Sequence, residues 1–261
     1  MGSPAKDWAS GPAGIEVSKA PLATGAFGTD EVAAQLQLVK DYLVAANLDP
    51  QLIAGGSPDA ALAMLDRGTK DTARQALAHP SPTTDPSSWF TRFDPREAIP
   101  VSDAIRVQGW ISYDADGENG VVVKTDVTYV YALRPGPEAV RLAASPGTPA
   151  TGPATPQDAV RATPDPDVPG YTWTARTIVR RADTFHFYDP ARYAVDPKKI
   201  VADETRPSFG NSACNVHDGY LHPEFDQFPP ARPNPTGPTR DPYERTGEVP
   251  GKGGCNTISR S

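Results

Sequence analysis

Cys214 and Cys255, the two cysteines of the chain, bracket a stretch in which Pro223, Pro229, Pro230, Pro233, Pro235, Pro238, Pro242 and Pro250 recur. Each proline fixes φ, removes a backbone donor and pushes its predecessor out of the helical region, so few residues here can enter helix or sheet. A disulfide across the segment ties it down, and disulfides persist mainly outside the cytosol. The expectation is therefore an extracellular or extracytoplasmic protein in which Cys214 pairs with Cys255. Closing a loop of that size stabilises by about 4 kcal/mol in the chain-entropy account.

That location needs a route. No apolar stretch approaches the roughly 20 residues of a membrane helix, and no signal peptide is apparent. Met1-Gly2-Ser3 reads as an expression scar, so a signal peptide or membrane anchor is expected upstream of residue 4. Contact with a membrane is expected through that removed anchor alone. The net charge of −7 argues against nucleic acid, since binding phosphates requires a clustered positive surface.

Thirty prolines and 22 glycines are spread unevenly over the 261 residues. One compact domain flanked and interrupted by irregular segments follows. Residues 1–26 are small, polar and unpatterned, and read as a linker or loosely docked arm that Trp8 can pin. The domain spans 27–200, with a Pro/Ala-rich excursion at 134–170. Residues 201–261 form a long irregular tail.

Within the domain the helices come first. Thr29 as N-cap, Asp30 and Glu31 in the first turn, and Val32, Leu36, Val39 and Leu43 at helical spacing predict a helix over about 29–47. Asp49-Pro50 and Ser57-Pro58 each resemble an N-cap followed by proline. The second is expected to open a helix ending at Gly68, and a third runs from Thr69 to Ala78. Two strands follow. Ile105, Val107, Ile111 and Tyr113 alternate with Arg106, Gln108, Trp110 and Ser112; Val121, Val123, Val127, Tyr129, Tyr131 and Leu133 alternate with Lys124, Asp126 and Thr128. This period of two predicts antiparallel strands with one buried face, joined by a turn at 114–120. A third strand is expected over Tyr171 to Tyr188, with a short edge strand in Ala191 to Ile200.

Helices followed by long antiparallel strands indicate an α+β layer fold. In element order over residues 27–190 the chain resembles the NTF2-like (cystatin-like cone) superfamily, in which helices pack on a curved antiparallel sheet. Phe90-Thr-Arg-Phe-Asp-Pro95 and Phe187-Tyr-Asp-Pro190 are similar to uncharacterised secreted or membrane-anchored actinobacterial proteins. Neither resemblance transfers a catalytic residue.

Three constellations carry potential chemistry. Near the first cysteine, His217, Asp218 and His222 offer imidazole and carboxylate ligands for a zinc-like ion. Cys214, His217, His222 and Cys255 could also make four tetrahedral ligands, but that spacing matches no standard zinc module, and a disulfide with the histidines anchoring the tail by hydrogen bonds is preferred. Asp114, Asp116 and Glu118 imitate the opening of a calcium loop but lack its glycine and closing acid, so a solvated hairpin turn is expected. Cone-shaped folds of the resembled kind also house small-molecule enzymes, for which Asp126, His186 and Tyr129 are the acid–base candidates. No nucleophile elbow, HExxH helix, P-loop or dinucleotide fingerprint is present.

The remaining signal is a basic, aromatic strand face made of Arg106, Trp110, Lys124, Arg176 and Arg180. Trp and Arg are enriched at binding hot spots. The reading is a noncatalytic extracytoplasmic binding or protein-interaction module with no cofactor, whose partner is a protein or cell-envelope component. The alternatives are a small-molecule enzyme using the cone cavity and a metal-dependent hydrolase through His217 and His222. Tyr220, Phe225, Phe228 and Tyr243 give the tail aromatic anchors, so it is expected to pack along the sheet or across the mouth of the cone.

Overall fold

A computed structural model describes residues 3–144, 174–225, 237–247, 249 and 256–258. In chain order these residues form strands β1 (Ala9–Ser10) and β2 (Ile15–Val17), then helices α1 (Thr29–Asn47), α2 (Pro50–Ile53), α3 (Asp59–Leu62) and α4 (Arg67–Ala78). Strands β3 (Ala98–Pro100), β4 (Arg106–Asp116) and β5 (Gly120–Pro135) follow, then helix α5 (Pro137–Ala144) and strands β6 (Ala175–Tyr188), β7 (Val201–Gly210), β8 (Gly237–Arg240) and β9 (Asn256–Ile258). The fold is α+β. A curved sheet in the order β1-β4-β5-β6-β7 carries the helices on its inner face.

The helix α1 occupies the span its apolar stripe predicts, with Val32, Leu36, Val39, Tyr42 and Leu43 buried. Its cap is displaced by one residue. Gly28 rather than Thr29 is the N-cap, because the Glu31 carboxylate reaches back to accept from Gly28 N at 2.9 Å. Asp49 caps α2 as expected, accepting from Gln51 N at 2.8 Å.

The helix expected from Ser57 to Gly68 stops at Leu62, and the one expected from Thr69 begins at Arg67. Residues 64–66 are drawn out to meet Ile200: Ile200 N donates to Met64 O at 3.0 Å, and Asp66 N donates to Ile200 O at 2.8 Å. Asp66 then caps a new helix by accepting from Gly68 N, so the glycine expected to end one helix lies in the first turn of the next.

The central strands β4, β5 and β6 form a continuous antiparallel ladder, Ser112↔Lys124↔Thr184 being one rung. Gly109 allows the close approach of β4 to β5: a Cβ there would sit 2.5 Å from Val127 Cα. Gly117 turns the hairpin at φ 63°. Both boundaries expected for the domain fall inside the sheet. The arm at 4–26 supplies β1, antiparallel to β4, and β2, parallel to β4, with Ile15 buried. Beyond residue 200, ten tail residues form β7, paired antiparallel with β6. Its charged residues and Pro207 suit an edge strand, where a missing donor faces no neighbour. The excursion opens with the end of β5 and then α5; its residues 145–170 lie outside the described residues, as do Tyr171 to Trp173 of the expected third strand.

Candidate functional site

Strand alternation sorts every candidate onto one of two faces. Residues of even number on β4, β5 and β6 point outward, away from the helices, and odd ones point inward. Arg106, Trp110, Lys124, Arg176 and Arg180 therefore share the outer face, as the strand pattern requires. Their surroundings differ. Trp110 is 41% exposed, and Lys124 and Arg176 are exposed as well. Arg106 is partly buried and donates to Trp8 O and Ser10 Oγ, both at 3.0 Å, which fastens the N-terminal arm.

Arg180 is buried in a polar knot. Its Nε and Nη2 donate to both oxygens of Asp126, at 2.9 and 2.7 Å. Its remaining donors reach the carbonyls of Glu244, Arg245 and Gly247. The hydrogen bonds it donates to Asp126 hold the Arg180 guanidinium further above its already high range. Beside it, Tyr243 packs with Trp8 over a small apolar cluster of Ala5, Val130 and Ile178. The outer face thus has a covered half and an open half, and Trp110 and Lys124 lie on the open side.

Asp126 and His186, two of the three acid–base candidates, also point outward, whereas Tyr129 points inward and is fully buried. The three do not meet. His186 has a carboxylate partner that its strand alone did not reveal: Nδ1 lies 2.7 Å from Asp116 Oδ2, and Nε2 lies 3.6 Å from Asp203 Oδ2. Tyr188 stacks on His186 and hydrogen-bonds Asp116. Those bonds, from Tyr188 first and His186 second, hold the Asp116 carboxyl below its usual range. Asp116 is engaged in this way rather than in a calcium loop.

The trio named as an alternative metal site is split, with His217 apart and Asp218 kept beside His222. His217 Nδ1 lies 3.0 Å from Asp85 Oδ2, while His222 sits between Glu97 at 2.7 Å and Asp218 at 2.9 Å. Both His222 nitrogens face carboxylate oxygens, an arrangement satisfied by the doubly protonated ring. Burial pulls its pKa down, but the bonds to Glu97 and Asp218 outweigh burial and leave it raised. No group of three or more His, Cys, Asp or Glu side chains among the described residues is placed to hold a metal ion. The trio's role here is anchoring. His222 N also binds Ser212 Oγ, Arg92 packs on the Tyr220 ring, and Leu221 and Phe225 enter the main core. These contacts seat residues 211–225 on the domain. Phe228 and Cys255 lie outside the described residues, and with Cys255 the expected pairing to Cys214.

A group that the sequence reading passed over lies inside the curve of the sheet. Thr177, Val179, Phe185 and Phe187 share inward parity, so Arg181 and Asp183 must point inward with them. Arg181 is 1% exposed and fully engaged by neutral acceptors: Asn47 Oδ1 at 2.7 Å and the carbonyls of Ser88 and Ser87, both at 2.8 Å. It ties the end of α1 to the loop before β3. Asp183 is equally deep. Burial pushes its pKa up to about 6, against the opposing pull of Arg181. Its Oδ1, the hydroxyl of its cross-strand neighbour Thr125 and the hydroxyl of Tyr129 are all buried without a hydrogen-bond partner. Burial, first, and the Asp183 charge also push the Tyr42 hydroxyl up. A hollow of about 230 Å³ lies elsewhere, between the N-terminal arm and α1, lined by Val17, Lys19, Pro21, Leu36 and Gln37 among others. No described helix is long and apolar enough to cross a membrane. Compared with protein-family models, curated proteins and solved structures, the chain matches none of them.

Proposed function

We propose that this chain is a noncatalytic, extracytoplasmic binding or protein-interaction module of NTF2-like build, and that it binds through the open half of the outer sheet face. The observation that carries this reading is the contrast between the two faces. The inner face is closed beneath the helices, with Val127, Tyr129, Tyr131 and Phe185 all buried. The outer face presents a large exposed aromatic, Trp110, on the same strand surface as the Lys124 ammonium. An amphipathic ring beside a cation is the chemistry of a hot spot for a protein or for a carboxylate-bearing envelope polymer.

The extracytoplasmic part of the proposal rests on the expected pairing of Cys214 with Cys255. Alkylation of the unreduced protein tests it. The disulfide predicts no labelled thiol before reduction and two after it, and free labelling of both thiols refutes it. Binding is tested by comparing capture from isolated cell-envelope fractions on immobilised wild type and on W110A/K124A. The proposal expects at least a tenfold loss of the captured component on the variant, and equal retention contradicts it.

One observation favours a second reading, a small-molecule enzyme working inside the sheet: the buried Asp183 with its raised pKa beside unpartnered hydroxyls. Small-molecule fragments that shift the amide resonances of residues 181–183, and not those around Trp110, would favour it over binding.

A further inference from the structure

The covered half of the outer face is held in a particular way. Among the described residues, the hydrogen bonds from Arg180 to the covering segment go to main-chain carbonyls. Its Nη1 donates to Glu244 O at 3.3 Å, and its Nη2 donates to Arg245 O at 3.1 Å and Gly247 O at 3.0 Å. Three main-chain carbonyls of one turn converge on one guanidinium. The turn is closed internally, because the Glu244 carboxylate accepts from both the amide and the hydroxyl of Thr246 at 2.7 Å. Sequence enters at three points only. Arg245 crosses in the opposite direction, donating to Gln108 O and to Asp126 O at 2.9 Å, and lies 3.7 Å from the Asp126 carboxylate. Tyr243 fills the apolar cluster of Ala5, Val130 and Ile178 and meets the Trp8 ring edge-on at 6.1 Å. Pro242 rests on Gly210, where a Cβ would come within 2.6 Å of its ring.

Such a station has the parts of a peptide-recognition site. It has a donor fork for main-chain carbonyls, an apolar seat for an aromatic, a carboxylate for an arginine, and a glycine floor for a proline. We propose that it is one, occupied in cis by residues 242–247, and that the partner of the outer face carries a peptide of the same chemistry: an aromatic residue two positions before an arginine, on a turn that presents its carbonyls together. This rests on the reading of the outer face as the binding surface and names the class of partner that face takes. The tethered segment then acts as a built-in competitor. A linked segment is present at an effective concentration on the order of millimolar, so a free peptide must exceed that competition to displace it.

The test uses the full chain. In the Y243A/R245A variant the two side chains that seat the segment are gone, while Arg180 and Asp126 remain. A fluorescent peptide of residues 239–249 is expected to bind that variant at least tenfold more tightly than wild type, by anisotropy. The same peptide bearing Arg245→Ala is expected to lose at least tenfold. P242A takes the ring of the tethered segment off Gly210, leaves the glycine floor intact for the free peptide, and serves as an independent unseating variant if the double variant does not fold. In intact wild type, excess peptide should speed amide exchange at residues 243–247 and leave β5 unchanged. Equal binding to wild type and to either folded variant, absence of binding to both, or indifference to Arg245 overturns the proposal. The broader reading fails separately: peptide binding that persists while W110A/K124A retains the envelope component defeats the open-face proposal and leaves this site standing.

Discussion

Replacing Asp183 by asparagine removes a charge that the fold holds at a cost. The carboxyl lies on the inward face of β6, 5% exposed, with one oxygen unpartnered and its pKa pushed up to about 6 from an ordinary 3.8. A raised carboxylate pKa means that the folded chain binds the proton more tightly than the unfolded chain. Stability from this group is therefore greatest at low pH and is lost as pH rises through about 6. The gap corresponds to roughly 3 kcal/mol of strain on the folded state at neutral pH. Asparagine keeps the shape and an oxygen for the Arg206 amide that now donates to Asp183. Thr125, its cross-strand neighbour, has a hydroxyl that is likewise unpartnered. Part of the gain is returned because Arg181 loses a nearby opposite charge, so D183N is expected to stabilise by about 1–3 kcal/mol at pH 8. Urea unfolding of both chains at pH 8 and pH 5 measures this. The wild type should gain roughly 1 kcal/mol relative to D183N on moving to pH 5, whatever the other groups contribute, since they are common to both. A destabilised D183N at pH 8, or parallel pH dependence of the two chains, would refute the argument.

Other perturbations bear on different parts of the molecule. Arg180→Ala or Asp126→Ala strands a buried charge and should each cost about 3–5 kcal/mol, with the double variant costing less than the sum, as a denaturant double-mutant cycle reads directly. Gly109→Ala forces a methyl group against the β5 backbone. It should destabilise by about 1–3 kcal/mol in thermal unfolding, and an unchanged midpoint would show that β4 and β5 do not approach as described. His222 has a raised folded pKa, so its anchoring of residues 211–225 is fully present below the ordinary 6.5 and is lost as pH rises through the folded value. Amide exchange at Ala213 and Leu221, whose N–H groups bind His222 O and Arg92 O, should accelerate on that rise beyond its intrinsic increase, and H222Q should abolish the extra acceleration.

The sequence was most legible where one physical rule acted alone. The apolar stripe of α1 and the alternation of β4 and β5 were each set by a single buried face, and both stand where they were expected. The outward direction of Arg106, Trp110, Lys124, Arg176 and Arg180 followed from the same alternation. What alternation does not report is what lies on top of a face. Arg180 looked like a free cation, yet carbonyls from residues more than 60 positions later consume its donors. The strand β7 escaped notice because an edge strand lacks a strong apolar pattern and tolerates Pro207. The break between α3 and α4 depends on Ile200, more than 130 residues away, and no local signal announces such a partner. Arg181 and Asp183 are the instructive case. Their parity with Val179 and Phe185 was present in the sequence, and two charges at inward positions were the sign of a polar interior.

A partner that meets the open half of the outer face should be trapped there by site-specific photo-crosslinking. A photoreactive residue in place of Trp110, with a second chain carrying it at the exposed Tyr193 as a control, is expressed in the native cell and illuminated. One defined adduct is expected in the envelope fraction from position 110, identifiable by mass spectrometry, with none of matching mass from position 193. A folded, exported protein that yields no adduct at position 110, or the same adduct from both positions, would contradict it.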